Sequence, residues 1–281
     1  MSLIQIGLVD KTGKINPSLL RSAAAALNIQ VTRDLTQFWT ITATVMALPD
    51  PKNIPAGVWP VFLVKSLPPG DGGYHLDQHN QPYAKVIASP SSEEWTIDAS
   101  HEILEMLVDP YGNRLQNSNS IEIVKGKIQD GNSQFGYLVE ACDPCEADKY
   151  AYAISGIAVS DFITPHFYDP IVTTGTRYSF TGAIKHPREI LPGGYISWVN
   201  HATNEMQQLL WVDPGPPVIK SLGPAQGASL RVWVDGKMRN STPKDVFRPF
   251  ARAMNKPLMQ RSKTKLTMLA GLAQARGLIY K

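Results

Sequence analysis

The residues of this chain that can do chemistry together are gathered in Ser100-His101-Glu102-Ile103-Leu104-Glu105-Met106-Leu107-Val108-Asp109-Pro110. A helix turns once in about 3.6 residues, so a His and a Glu four positions apart share one face. Imidazole nitrogen and carboxylate oxygen are both zinc ligands, and Glu102 falls between them, where it can take a proton from a metal-bound water. The expected helix is capped by Asp98 or Ser100 and closed by Pro110, which disfavours helix at the residue before it. His101, Glu105 and Asp109 run along one face, while Ile103, Leu104, Leu107 and Val108 cover the other. Asp109 stands at the C-terminal end, where the helix dipole disfavours a negative charge by ~0.3–1 kcal/mol, so a positive group is expected near it.

Further ligands must return from elsewhere in the chain. Val139-Glu140-Ala141-Cys142-Asp143-Pro144-Cys145 offers two acids in an otherwise apolar stretch, with Phe135 to Val139 reading as a strand that delivers Glu140. Asp143, Asp161 and His166 are alternative ligands or groups lying behind the ligands, and Asp109 suits the role of orienting His101. Tyr152 and Tyr168 are candidates for a phenol that stabilises an oxyanion. His75 and His79 fall in the polar run Gly73 to Asn80, read as a loop that leaves them solvated. Cys142 and Cys145 have no partner pair for a structural zinc site and are expected as buried or turn thiols.

These residues carry a resemblance. The chain resembles zincin-type metallopeptidases of the gluzincin sort, in which a downstream Glu completes the site. It is more closely similar to proteins with His-Glu-x-x-Glu-x-x-x-Asp-Pro followed by Glu-x-x-Asp, matched here by His101, Glu102, Glu105, Asp109, Pro110, Glu140 and Asp143. The similarity covers about residues 15–170. It implies a zinc ion on His101, Glu105 and Glu140, Glu102 as general base, and a peptide or protein substrate. Glu105 stands where the common pattern has a second His. An alternative of another class is a zincin-shaped binding or structural protein whose carboxylates hold calcium, since oxygen-rich sites favour hard cations. A further alternative is an assembly component carrying the motif by accident.

Composition sets the outer bounds. A chain of 281 residues with 43% hydrophobic content can bury a sizeable core. Its formal charge of +3 gives no general case for nucleic-acid or membrane binding. The first residues lack the features of a signal peptide, and no run approaches the ~18 apolar residues of a membrane span, so a cytoplasmic protein is expected. The oligomeric state is left open.

The elements that must position the site follow from periodicity and turn residues. Residues 4–9 alternate as a strand, Pro17 opens a helix to about Leu27, and further strands are expected over 29–31, 38–47, 58–65 and 82–88. By analogy with zincins, Tyr83 to Ala88 would be the rail on which a peptide lies. Loop at 117–120, strand at 121–128, turn at 131–134 and strand at 154–159 come next. From Thr173 the chain changes to short strands at 178–181, 195–199, 208–212, 218–220 and 230–235, then helices at 242–254 and 261–276, the last basic and amphipathic. The expectation is an α+β fold: a zincin-like region with a mixed sheet and active-site helix over 1–170, then a β-rich portion with a helical basic tail over 171–281.

Overall fold

Two five-stranded sheets and three helices make up the α+β fold of the computed structural model, which describes residues 3–68, 72–227 and 229–241. The first sheet holds β1 (Ile4–Asp10), β2 (Ala43–Ala47), β3 (Val58–Val64), β4 (Gly73–Gln78) and β5 (Gln81–Ile87), in the order β2-β1-β3-β5-β4. All neighbours are parallel except β4, which runs antiparallel along β5 and forms one edge. Side chains alternate between faces at each step of a strand, so Ile6, Leu8, Val61, Leu63, Ala84 and Val86 turn together into the main core. Helices α1 (Pro17–Ile29) and α2 (Trp95–Val108) contribute to that same core. Val9, Leu48 and Val58 close a smaller cluster.

α1 starts as expected, with Pro17 in its first turn and the Asn16 side chain accepting from the Ser18 N–H at 2.8 Å. The strand expected at 29–31 is instead a continuation of helical turns to Gln37. Thr32 and Thr36 donate back to carbonyls four residues earlier, and the Gln30 side chain is buried and donates to the Ser160 carbonyl at 2.9 Å. The strand expected from 38 begins only at Ala43.

α2 starts at Trp95, upstream of the Asp98 or Ser100 cap expected from sequence. Ser92 accepts from the Glu94 N–H and Thr96 donates to the Glu93 carbonyl, so the first turn is held from before the helix. Ser100 lies inside the helix, donating to Gln30 at 2.8 Å and accepting from the Ser160 N–H at 2.9 Å. The helix ends at Val108, ahead of Pro110 as expected.

The run 73–80 is not a loop. β4 and β5 form a hairpin turned by His79 and Asn80, both with positive φ (54° and 62°). An edge strand can present polar side chains to water on one face, which is why its sequence looks loop-like. Residues 83–87 lie in β5, paired to β3 on one side and β4 on the other, so among the described residues the edge strand at this end is β4.

The second sheet is antiparallel, with β6 (Leu115–Val124), β7 (Lys127–Leu138), β10 (Tyr195–Asn200), β11 (Glu205–Leu210) and β12 (Val218–Pro224) in the order β12-β11-β10-β7-β6. The loop and turn expected at 117–120 and 131–134 are parts of the long β6–β7 hairpin, in which β7 is largely solvated over 127–134 while Ser118 and Ser120 of β6 are buried. A short hairpin of β8 (Tyr152–Ile154) and β9 (Ile157–Val159) packs by α2. Of the strand expected at 178–181 only a bridge from Ser179 to Ile163 forms. β7 pairs with β10, so this sheet draws strands from both sides of residue 170, and the main core contains residues from Ile6 through Leu209.

The strand expected at 230–235 is the start of helix α3 (Leu230–Ser241). Leu230, Val234 and Met238 recur every four residues, and Val234 and Met238 bury against Met206 and Leu210 of β11. The helices expected at 242–254 and 261–276 lie outside the described residues. No described helix is long and apolar enough to cross a membrane.

Candidate metal centre

α2 is buried on nearly every side, so its polar groups must find partners within the protein. His101 Nε2 lies 3.2 Å from Glu105 Oε1 and 3.1 Å from Asp143 Oδ1. Asp143 is brought there by the chain leaving β7. The Cys142 N–H donates to Glu105 Oε1 at 3.1 Å, and Asp143–Cys145 forms a single 3-10 turn with Pro144 near its start. Gly194 seals this turn: a Cβ there would sit 2.7 Å from the Asp143 carbonyl oxygen and 2.6 Å from that of Pro144.

β4 supplies a second imidazole. His75 pairs in register with Ala84, a core residue, and so faces the helices. Its Nε2 lies 3.1 Å from the Asp109 carbonyl, and its Nδ1 lies 3.4 Å from Glu102 Oε2 and 3.8 Å from Glu105 Oε2. A carbonyl only accepts, so Nε2 carries a hydrogen and Nδ1 is turned to the carboxylates. Gly73 allows this approach, since a Cβ would fall 2.9 Å from Glu102 Oε1.

α3 supplies a cation. Buried Arg231 places Nη1 3.0 Å from Glu105 Oε2, 3.6 Å from Asp143 Oδ2 and against Glu140 Oε2, while its Nε reaches Asp235 at 3.1 Å. Its backbone N–H donates to the Gly112 carbonyl at 3.0 Å, and the Leu230 N–H donates to Asn113 at 2.9 Å. The start of α3 is thereby fixed to the turn that follows α2.

Charge here is lopsided. Burial opposes ionisation of Glu105, but His101 and Arg231 outweigh it and hold its carboxyl well below the usual range. Burial also opposes a charge on His101, yet Glu105 and Asp143 raise it well above the ordinary imidazole value. Asp143 is pushed well above the carboxylate range, by burial first and then by Glu105. Burial and Asp143 raise Glu146 likewise, and burial with Asp148 pushes Asp98 up to about 7. Acids held high by burial and by one another are in the state that a bound divalent cation relieves.

Of the residues singled out in the sequence, His101, Glu102, Glu105, Glu140 and Asp143 come together. Asp143 meets His101 and Glu105, while Glu140 lies on the Arg231 side. Asp109 ends the helix: its Oδ2 accepts from the Arg114 N–H at 2.7 Å, and the Arg114 guanidinium donates to the Val108 carbonyl at 3.0 Å, which is the positive group expected there. Asp161 is turned away, accepting from Phe162 and Thr181 in the following loop. His166 is exposed and pairs with Asp169 at 2.8 Å. Tyr168 stands in the aromatic core beside Tyr137 and Phe167, and its hydroxyl has no hydrogen-bond partner among the described residues. Tyr152 is spent on Gln30 and Asp34. The phenol that acts on Asp143 is that of Tyr195, at the start of β10.

His75, Tyr195 and Arg231 were not found by sequence reasoning. A signal existed for two of them: His79-Asn80 as a hairpin turn places His75 on a strand, and Arg231–Asp235 at a four-residue spacing marks a helix. Cys142 and Cys145 are buried free thiols, as expected, with Cys142 near His101 and Glu105.

The donor set fits a divalent cation. Donors at ~2.0–2.1 Å from one tetrahedral ion sit roughly 3.3 Å apart, close to the separations of His101 Nε2 from its two carboxylates. The Glu140 and Asp143 carboxylates are both buried, and Glu140 Oε1 has no hydrogen-bond donor among the described residues. Comparison with protein-family models, with curated proteins and with solved structures gives no match.

Proposed function

We propose that this chain is a zinc-dependent hydrolase acting on peptide bonds, with the metal held by His101, Glu105 and Asp143 and with Glu102 as general base. The observation that carries this reading is that His101 Nε2 lies 3.2 Å from a Glu105 oxygen and 3.1 Å from an Asp143 oxygen. Asp143 takes the place that the zincin resemblance assigns to Glu140. Zinc bound there supplies Lewis acidity and a bound water with a pKa lowered to near ~7.

Glu102 receives the proton from the attacking water and returns it to the leaving amine. His75 positions it: with Nε2 anchored on the Asp109 carbonyl, Nδ1 faces Glu102 Oε2, so the pair can hold the transferred proton between them. The outer edge of β4 has no strand partner among the described residues and lies beside α2, which suits an extended peptide adding as a further strand. The rail is thus assigned to β4 and not to residues 83–88. Two unpaired thiols accord with a reducing compartment such as the cytoplasm.

Elemental analysis of the wild type beside His101→Ala and Glu105→Ala tests the centre, with one zinc per chain expected in the first and none in the variants. Against a peptide library, Glu102→Gln is expected to keep zinc and lose cleavage. Peptidase activity that survives complete chelation would refute the reading. The surplus of carboxylates over imidazoles favours a second reading, a non-catalytic protein holding calcium. Under it the bound metal is calcium and Glu102→Gln alters no function.

A further inference from the structure

A cavity of about 510 Å³ lies apart from the metal centre, with none of that centre's residues in its walls. Its size falls within the ~300–1,000 Å³ of sites that hold small molecules. Stretches distant in sequence close it: the β6–β7 hairpin with Ile121 and Ile128, Val172 in the loop between β9 and β10, residues 186–189, and Trp211 with Pro217 in the connection from β11 to β12. The walls are fixed by bonds the protein makes to itself. Arg188 is fully buried and donates to both oxygens of Asp130 at 2.8 Å, which ties the hairpin to residues 186–189. The Trp211 indole N–H donates to the Gly215 carbonyl at 2.7 Å, and its backbone pairs with Gly193 and Gly194. A ligand therefore meets a preformed site and loses little affinity to ordering it.

The lining divides by chemistry. Ile121, Ile128, Val172, Trp211 and Pro217 make an apolar interior with one aromatic wall. The acids are committed elsewhere: both Asp130 oxygens accept from Arg188, and Glu189 Oε2 accepts from the Lys185 and His186 N–H groups at 2.7 and 3.0 Å. Lys127 and His186 also line the cavity, and their exposed side chains have no partner among the described residues. The groups left over for a ligand are thus apolar inside and basic at the rim. Apolar side chains are also left in water beside the lining, since Val172 is 56% exposed, its neighbour Ile171 70%, and Val218 after Pro217 40%. We propose that this cavity binds a compact apolar carboxylate, with its ring or branched chain packed on Trp211 and Ile128 and its charge met by Lys127 and His186. Both a free aryl or branched-chain acid and the C-terminal residue of a peptide offer that chemistry.

Binding to the full-length protein is followed by titration in saturation-transfer NMR at low salt. The probes are phenylbutyrate, its neutral analogue phenylbutanol, and acetyl-glycyl-glycyl-phenylalanine for a peptide C-terminus. Chelator is present throughout, so the peptide stays whole whatever the metal centre does, and the outcome is independent of the hydrolase reading. At least one of the two carboxylates is expected to saturate with a dissociation constant on the order of 1 mM, as suits ligands this small. Phenylbutanol is expected to bind roughly 2- to 30-fold more weakly than phenylbutyrate, the range for two exposed charge pairs. Val172→Trp, made at an exposed position, fills the mouth and should abolish binding of all three with the melting temperature kept. Lys127→Glu with His186→Ala should bring phenylbutyrate down to the affinity of phenylbutanol and leave phenylbutanol unchanged. The proposal stands whichever carboxylate binds more tightly, and that order names the source: phenylbutyrate for a free acid, the peptide for a chain terminus. No saturable binding of either carboxylate, binding that survives Val172→Trp, or an alcohol that binds as tightly as the acid overturns it.

Discussion

Gly112→Ala separates the cost of the turn after α2 from the hold of that turn on α3. Gly112 has φ +63°, and a Cβ built on it would lie 2.7 Å from Arg231 Cβ and 2.7 Å from Ser229 Oγ, where ordinary contact begins at 3.4 Å. Two penalties follow. A left-handed backbone costs an L-residue about 1–2 kcal/mol wherever it occurs. Overpacking against α3 adds about 1–3 kcal/mol, and this part is relieved when α3 lifts away. The matched control is Gly126→Ala, because Gly126 has φ +75° and nothing within 4 Å of its Cβ position. Both variants are expected to melt roughly 2–8 °C lower from the backbone term, at about 2–4 °C per kcal/mol. Only Gly112→Ala is expected to speed hydrogen exchange of the α3 amides, by roughly 5- to 150-fold for 1–3 kcal/mol, while α2 stays protected to a similar degree in the two variants. Equal α3 exchange in the two variants would refute the reasoning, since Arg231 would then owe nothing to its seat on residue 112.

Three other outcomes are expected. Zinc at about a hundred times its dissociation constant should stabilise the wild type by about 2.7 kcal/mol, read as a melting shift that chelation reverses, and His101→Ala should show no such shift. Arg188 is fully buried, donating to both Asp130 oxygens at 2.8 Å, to Ser118 at 2.8 Å and to the Asp169 carbonyl. Its replacement by Met should cost about 1–3 kcal/mol in denaturant unfolding for each group left unpaired, because the Asp169 carbonyl and Ser118 lose this partner inside the protein. Asp130→Asn should cost less, since Asp130 is 45% exposed and water replaces part of the pair. Cys142 and Cys145 are 0% and 1% exposed and burial pushes both thiols up, so neither should react with a thiol reagent faster than the protein unfolds. A fast-reacting thiol in the native state would contradict the packing of the 140–145 turn.

Legibility in the sequence followed the range of the interaction. β1, α1, β3 and β5 were readable because each declares itself locally, through alternation, through Pro17 after Asn16, or through an apolar run. The turns over 30–37 were not, because Gln30 is set by Ser160 and Ser100, far away in the chain. The same holds for the start of α2: Ser100 has the chemistry of a cap, and only its partner Gln30 shows that it sits mid-helix. The polar stretches of β6 and β7 read as loops because residues 129–134 largely face water and the inward positions of 117–120 are serines, Ser118 and Ser120, leaving no apolar alternation to detect. For the centre, the spacing of His101 and Glu105 was sufficient to place them together. The choice between Glu140 and Asp143 was not open to spacing, since a turn of the chain between them sends one to His101 and the other to Arg231.

Arg231 shows why the other half of the centre stayed out of reach. Arg231-Val-Trp-Val-Asp235 is a short apolar run between two charges, and its β-branched and aromatic residues favour a strand. Three contacts set it as a helix instead: Val234 and Met238 buried on β11, Arg231 paired with Asp235 one turn away, and Arg231 drawn into the acids of α2 and the 140–145 turn. The first and third require partners distant in sequence from α3. Tertiary packing thus overrides local propensity at the place where the chain supplies its own cation, and the element hardest to read from sequence is the one the acidic centre needs for its charge balance. If the helix were held by propensity alone, Arg231→Met would leave α3 intact in the absence of metal. If the acids hold it, α3 in that variant exchanges faster without metal than in the wild type, because a cation that bound its near end to the core has been removed.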